Sequence, residues 1–140
     1  MKSTLFAALA LCALAVSAQA AEPMTVYRSP SCGCCGGWVD YMKAKGHESK
    51  VVMQDDVSPT KERLKVPEQL QSCHTAVIDG YVVEGHVPAE AIDKLLKERP
   101  KVTGIAAPGM PQGSPGMSGA KQPFTVYSFG TDGIRPFMQF

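Results

Sequence analysis

The sequence lacks an excess of charge of either sign. Its 140 residues contain 14 Lys and Arg against 13 Asp and Glu. Proteins that bind nucleic acid or anionic membranes through electrostatic attraction present a basic surface. The composition therefore does not support either of these as a partner.

The sequence also lacks a long hydrophobic run beyond its first twenty residues. These begin with Met1-Lys2, continue through an apolar segment over 5–16 and end in the small-residue site 18–20. This order is typical of a secretory signal peptide, and it is too short for a membrane anchor of about 20 apolar residues. We expect residues 1–20 to be a signal peptide cleaved after about Ala20. Residues 21–140 then form a single exported domain without membrane insertion.

Cysteines are few, and their placement is informative. Of the five, Cys12 lies in the signal peptide, so the mature chain keeps four. Three of these are Cys32, Cys34 and Cys35 within four positions, and Cys73 stands alone further along. Cysteines of exported proteins usually pair, because the compartment is oxidising. The pattern indicates thiolate chemistry on either a soft metal or a disulfide.

The remaining pattern alternates strands with helices. Short runs of β-branched and aromatic residues predict strands, apolar residues at helical spacing predict helices, and Asp79-Gly80 predicts a tight hairpin turn. The predicted elements are a strand at 24–27, a helix at 35–45, a strand at 48–53, a short helix from 58 that ends before Pro67, a hairpin at 75–84 and a helix at 88–99.

This order predicts a thioredoxin-like α/β fold, because Cys32 and Cys35 form a Cys-x-x-Cys motif at the first strand–helix junction. We expect a mixed sheet with flanking helices. Residues 104–119 are rich in Gly and Pro and contain two Met residues, which predicts an irregular loop. Residues 123–140 predict a C-terminal β-hairpin that extends the sheet.

The position of the cysteine motif suits thiolate chemistry. Unpaired backbone N–H groups and the helix dipole stabilise a thiolate at a helix N-terminus and lower its pKa. The glycines at 33, 36 and 37 leave the turn without bulky side chains. A metal ion or a partner disulfide could therefore approach it closely.

Several features favour a metal. Disulfide exchange needs only two sulfurs, and the adjacent Cys34 and Cys35 are poorly placed to chelate one ion but can reach different ions. Thiolates select Cu(I), zinc or iron–sulfur clusters. The second Cys-x-x-Cys pair of a usual structural zinc site is missing. Two alternatives remain open: thiol–disulfide exchange with Cys32 as nucleophile and Cys35 as resolving thiol, and structural disulfides that include Cys73.

Four further residues are candidates for secondary ligands. His74 follows Cys73 directly, and His86 precedes the last predicted helix. Imidazole suits Cu(II), whereas thiolate suits Cu(I). Met110 and Met117 lie in the Gly/Pro loop and could supply thioether ligands or a hydrophobic plug. His47 ends a predicted helix and is expected to be a surface residue.

Three segments together carry a family resemblance. Residues 32–38 (CGCCGGW), 72–76 (SCHTA) and 80–89 (GYVVEGHVPA) resemble the CopG-type periplasmic copper-resistance family, and the loop over 108–117 is similar too. The resemblance covers nearly all of the mature chain.

The resemblance implies a thioredoxin-like fold whose cysteines hold several Cu(I) ions in a polynuclear thiolate cluster. It places the ligands at Cys32, Cys34, Cys35 and Cys73, and it does not establish Met110 or Met117 as ligands. It also implies a periplasmic role in copper resistance that involves interconversion of Cu(I) and Cu(II), with copper ions and other copper-handling or redox proteins of the periplasm as partners. Whether this interconversion is enzymatic turnover stays open.

Overall fold

The structure, a computed structural model, describes residues 23–140. The predicted signal peptide, residues 1–20, lies outside the described residues. Within 23–140, no helix is both long enough and apolar enough to cross a membrane.

The described chain contains seven strands and three α-helices. In chain order these are β1 (Met24–Arg28), α1 (Gly33–Ala44), β2 (Ser49–Met53), α2 (Ser58–Arg63), β3 (Thr75–Ile78), β4 (Tyr81–Gly85), α3 (Ala89–Glu98), β5 (Gly104–Ala107), β6 (Thr125–Gly130) and β7 (Gly133–Gln139). A short 3-10 helix over Glu68–Leu70 stands between α2 and β3.

All seven strands form one mixed sheet in the order β2-β1-β3-β4-β5-β6-β7. β1 pairs parallel with β2, and β4 pairs parallel with β5, because a helix connects the two strands of each pair. The other neighbours pair antiparallel. The predicted α/β fold with a mixed sheet, flanking helices and a C-terminal hairpin is confirmed. The narrower thioredoxin-like assignment stays a prediction.

The two faces of the sheet bury separate apolar clusters. Alternate strand residues such as Val26 and Val83 pack with Trp38 and Met42 of α1 and Ile92 of α3. The opposite face packs a smaller cluster against the segment that contains α2 and the 3-10 helix, with the members Val66, Leu70, Val82, Ala106 and Phe129. Strand side chains alternate between the faces, so the neighbouring strands β4, β5 and β6 contribute to both clusters.

The turn between β3 and β4 forms at the predicted Asp79-Gly80 pair. Both residues have positive φ, 49° for Asp79 and 83° for Gly80. A two-residue type I′ turn requires this geometry at both central positions. The turn fixes the register in which Thr75 lies opposite Glu84.

The predicted boundaries of the Gly/Pro loop were wrong at their start. Gly104–Ala107, assigned to the loop over 104–119, is strand β5, with β4 on one side and β6 on the other. The strand is short, and Gly104 is required because a Cβ atom there would lie 2.1 Å from the Val82 carbonyl oxygen. The four residues of β5 show little of the sequence pattern of a strand, because its hydrogen bonds to β4 and β6 are what stabilise it. The irregular segment begins only at Pro108.

Candidate metal centre

The first three cysteines surround the start of α1. β1 ends at Arg28, and the chain turns so that the Cys32 N–H donates to the Ser29 carbonyl oxygen at 3.2 Å. Cys32 is the N-cap of α1, with extended backbone and no side-chain capping bond. Cys35 is fully buried, whereas Cys32 and Cys34 are partly exposed. The turn therefore presents sulfur atoms both to solvent and to the interior.

The fourth cysteine reaches the same place through the sheet. Cys73 comes just before β3, which pairs antiparallel with β1 so that Thr75 lies opposite Tyr27. Because the start of β3 is beside the end of β1, Cys73 lies beside the cysteine turn. The Cys34 and Cys73 sulfurs are 3.9 Å apart, and the Cys32 and Cys34 sulfurs are 3.5 Å apart.

The four sulfurs form a compact group. All of them lie within 4.8 Å of one another. Cys32 and Cys35 are joined by a disulfide, and Cys34 and Cys73 are free thiols. The structure therefore shows the oxidised form of the Cys-x-x-Cys pair. Reduction of this one bond would make four thiols available at one position.

Burial raises the pKa of the Cys73 thiol. The neighbouring Cys34 raises the pKa further, whereas Ser72 and the Lys61 ammonium lower it. The Cys73 thiol therefore keeps its proton to a higher pH than an exposed cysteine. A metal ion that binds there must displace this proton, so metal binding would be coupled to proton release.

A buried ion pair anchors the backbone on both sides of Cys73. Glu84 is fully buried on β4, and its Oε1 accepts hydrogen bonds from Lys61 Nζ at 2.5 Å and from the Ser72 N–H at 2.8 Å. Its Oε2 accepts from the Thr75 hydroxyl at 2.6 Å, and Lys61 Nζ also donates to Thr75 Oγ1 at 2.9 Å. Burial raises the pKa of Glu84, against the opposing effect of Lys61. The carboxylate thus holds the residues just before and just after the Cys73-His74 pair.

The arginine at the end of β1 supports the cysteine turn from the other side. Arg28 Nη2 donates to the Cys32 carbonyl oxygen at 3.0 Å. A Cβ atom at Gly36 would lie 3.0 Å from Arg28 Nη1. The glycine therefore makes room for the guanidinium group. Of the three glycines in this turn, only Gly33 faces open space.

The irregular loop after β5 contacts the site at two points. The Ser72 hydroxyl donates to the Gly109 carbonyl oxygen at 2.5 Å, next to Cys73. At the other point, Gly116 approaches α1 so closely that a Cβ atom there would lie 2.7 Å from the Cys34 carbonyl oxygen. Met110 is 57% exposed, and Met117 is half-buried. The loop backbone contacts the cysteine turn, and Met110 faces solvent.

The two candidate histidines form a layer separate from the sulfurs. His74 and His86 are both fully buried, and neither belongs to the group of four potential ligand atoms within 4.8 Å of one another. The His74 and Trp38 rings pack in a tilted arrangement, with centroids 4.4 Å apart and an interplanar angle of 43°. His86 donates from Nδ1 to the Pro115 carbonyl oxygen at 2.7 Å. His47 lies just after α1 and is partly buried, with 13% of its side chain exposed, and its Nε2 is 3.0 Å from Asp93 Oδ1.

The sequence analysis missed three residues of this site. Lys61 lies in the predicted short helix, Glu84 in the predicted hairpin, and Arg28 directly after the first predicted strand. The only available signal was the position of Glu84 between buried strand residues, because a charged residue there must be paired.

The geometry defines the class of protein: an α/β protein with four cysteine sulfurs at a helix start, able to bind soft metal ions or to exchange a disulfide. Two solved structures match this chain closely, "Copper resistance protein copG- Form 2" and "Copper resistance protein copG- Form 1". Each is 41% identical, with a TM-score of 0.79, and the alignments cover 85% of this chain and 99% and 98% of theirs. The chain belongs to the CopG copper resistance protein family.

Two further comparisons add detail. A family described as "Protein of unknown function, DUF411" matches residues 70–117, which include Cys73, both buried histidines, Met110 and Met117. A search of curated proteins finds no match.

Proposed function

We propose that this protein is a periplasmic copper-binding protein of copper resistance, which holds several Cu(I) ions on the thiolates of Cys32, Cys34, Cys35 and Cys73. One observation carries the proposal: the four sulfurs lie within 4.8 Å of one another. The names of the two similar structures, both copper resistance proteins, support copper as the metal.

The donor set fits Cu(I). Thiolates are soft ligands that select monovalent copper, and the set contains no hard oxygen donor. Cys34 and Cys35 are adjacent, which favours ligation of different ions and hence a cluster with bridging sulfurs. The positive charges of Arg28 and Lys61 near the sulfurs offset the negative charge of the thiolates.

Copper loading would depend on reduction of the disulfide. A dithiol reductant would reduce the Cys32–Cys35 bond by thiol–disulfide exchange and become a disulfide itself, leaving two thiols on this chain. Each thiol then loses its proton when Cu(I) binds. A protein isolated in air would bind less copper than the reduced protein.

We propose further that the bound copper interconverts between Cu(I) and Cu(II). Each ion would give or take one electron in exchange with a redox or copper-handling protein of the periplasm. Thiolates stabilise Cu(I), so Cu(II) would be the less stable form at this site.

The test is an anaerobic titration of the reduced mature protein with Cu(I) against a competing chelator, followed by thiolate-to-copper absorption. We expect tight binding of several ions per chain and a reduced number in a Cys34→Ser variant. His47→Asn, which changes a histidine outside the group of four sulfurs, is the matched control and should keep the wild-type number. An unchanged copper number in Cys34→Ser would refute the four-thiolate site.

A second candidate function is thiol–disulfide exchange without a metal. The Cys32–Cys35 disulfide at the start of α1 favours it, because that position suits a nucleophilic thiolate. This function predicts disulfide reductase activity that survives both Cys34→Ser and Cys73→Ser. Activity that depends on all four cysteines would contradict it.

A further inference from the structure

Two buried imidazoles meet beside the sulfur group. His74 follows Cys73 in the chain, and His86 follows β4. Neither exposes any surface, and their ring centroids are 5.0 Å apart at an interplanar angle of 82°. Trp38 also packs against His74, and its Nε1–H donates to the Val87 carbonyl oxygen at 2.9 Å. The pair is therefore rigidly placed in the interior.

Three of the four imidazole nitrogens have no partner among residues 23–140. They are His74 Nδ1, His74 Nε2 and His86 Nε2. Buried polar atoms are nearly always hydrogen-bonded, and exceptions indicate a strained site, an ordered water or an ion. Three unpartnered nitrogens on two neighbouring rings point to a shared ligand.

The one hydrogen bond of the pair sets the tautomer of His86. A carbonyl oxygen can only accept, so the Pro115 oxygen requires the proton on His86 Nδ1. In the neutral ring, the lone pair is then on Nε2, the unpartnered atom. Histidines that bind metals usually donate their other N–H to a backbone carbonyl or a carboxylate in this way.

Full burial without a carboxylate partner among residues 23–140 favours the neutral form of both rings. Burial, together with the electrostatic effects of His86, Lys61 and Arg28, lowers the pKa of His74 to about 3, against an opposing effect of the Gly85 backbone. Burial also lowers the pKa of His86, against the opposing hydrogen bond to Pro115. Neutral imidazole is the form that binds metals.

The separation of the rings permits one shared ion. With a metal–nitrogen distance of about 2 Å, a ring centroid lies about 3 Å from the ion. Two rings bound at a near-tetrahedral angle then have centroids about 5 Å apart, close to the observed 5.0 Å. Lys61 and Arg28 are the positive groups that act on His74. Their charges disfavour a second positive charge in the same interior. A monovalent ion therefore fits better than a divalent one.

We propose that His74 and His86 form a nitrogen-donor Cu(I) site beside the thiolates, with His86 Nε2 as one ligand and a His74 nitrogen as the other. This inference rests on the proposed function, because copper must first be what the protein binds. It assigns one ion to the imidazoles in addition to those on sulfur.

The test is nitrogen NMR of the imidazole rings in the anaerobic, reduced, 15N-labelled protein during Cu(I) titration. Cu(I) has a closed d shell and does not broaden the spectrum. The metal-free protein should show His86 protonated on Nδ1. With Cu(I), the resonances of His86 Nε2 and of one His74 nitrogen should shift, whereas those of His47 should stay unchanged.

Two negative outcomes are distinguishable. If thiolate-to-copper absorption saturates and the His74 and His86 nitrogens do not shift, the imidazole site is refuted and the proposed function stands. The nitrogens then pair with ordered water only. If no Cu(I) binds at all, both proposals are refuted.

A variant gives an independent measure of the stoichiometry. His86→Asn keeps an N–H donor for the Pro115 carbonyl oxygen and removes Nε2. We expect it to bind one Cu(I) fewer per chain while the thiolate-to-copper absorption is preserved. His47→Asn is the matched control. An unchanged copper number in His86→Asn, with the fold verified by its amide NMR spectrum, would overturn the proposal.

Discussion

Replacement of Lys61 by methionine should strongly destabilise the protein. Lys61 Nζ lies 2.5 Å from Glu84 Oε1, the lysine side chain is 7% exposed and the glutamate side chain is fully buried. Methionine approximates the length of the lysine stem but removes its charge. The variant therefore leaves a buried carboxylate without its counter-ion.

The expected cost follows from the burial of the pair. Removal of one partner of a buried ion pair costs about 3–5 kcal/mol, because the remaining charge is uncompensated. Glu84 would still accept hydrogen bonds from the Ser72 N–H and the Thr75 hydroxyl, which places the cost at the lower end of this range. Native domains have free energies of unfolding of about 5–15 kcal/mol, so the variant would lose a large fraction of its stability.

The loss of stability in Lys61→Met should depend on pH. Burial already raises the pKa of Glu84, and the removal of the Lys61 ammonium would raise it further. Once Glu84 is protonated, no buried charge remains. The difference between Lys61→Met and wild type should therefore be smaller at pH 5 than at pH 7.

Urea unfolding of the wild type and of three variants tests this reasoning. Lys61→Met/Glu84→Gln removes both charges and should be more stable than Lys61→Met alone. Lys94→Met breaks the exposed pair with Glu98 on α3 and should cost at most about 0.5 kcal/mol. The reasoning is refuted if Lys61→Met costs less than about 1 kcal/mol, or if the double variant is no more stable than the single one.

Three further predictions follow from the site. Gly116→Ala should destabilise the protein by about 1–3 kcal/mol, because φ is +83° and the added Cβ would lie 2.7 Å from the Cys34 carbonyl oxygen; thermal unfolding unchanged from wild type would contradict this. The pKa of His74 is about 3 in the folded protein and 6.5 in the unfolded chain, so the unfolded chain binds more protons between pH 3 and pH 6.5. The free energy of unfolding in urea should therefore fall by about 1.4 kcal/mol per pH unit below pH 6.5, less an offset from Glu84, whose raised pKa acts in the opposite direction. A free energy of unfolding that does not change with pH would be inconsistent with a buried neutral ring. Cu(I) loading at pH 7 should release protons, including that of Cys73, because burial raises the pKa of this thiol; the release should decrease in Cys73→Ser, and an equal release in both proteins in a pH-stat would contradict it.

Local patterns in the sequence predict the elements that hold the site. The strand before the cysteine turn, the helix after it and the Asp79-Gly80 hairpin each depend on residues close in the chain. The helix begins at Gly33 instead of the predicted Cys35, a difference of the usual size for helix ends. The antiparallel pairing of β1 with β3 then brings Cys73 beside the cysteine turn.

Long-range packing decides the features that the sequence did not predict. β5 is a strand because β4 and β6 supply its hydrogen bonds, and its four residues alone give only a weak signal. The Lys61–Glu84 pair joins α2 to β4 across the sheet face, and sequence spacing does not relate these positions. The His86 tautomer depends on Pro115, which lies 29 residues away in an irregular loop.

The four cysteines are unevenly spaced along the chain, and this spacing has a consequence for folding. Cys32 and Cys35 are three residues apart, so they can meet as soon as one helical turn forms, whereas Cys34 and Cys73 are 39 residues apart and meet only after β3 has joined β1. Local contacts form in microseconds or faster, and long-range strand pairing is slower. A newly synthesised chain would thus pass through a stage in which its local dithiol can be oxidised before Cys73 joins the group. The complete set of four sulfurs exists only in chains whose central strands have paired, so high-capacity copper uptake would itself distinguish folded molecules from unfinished ones.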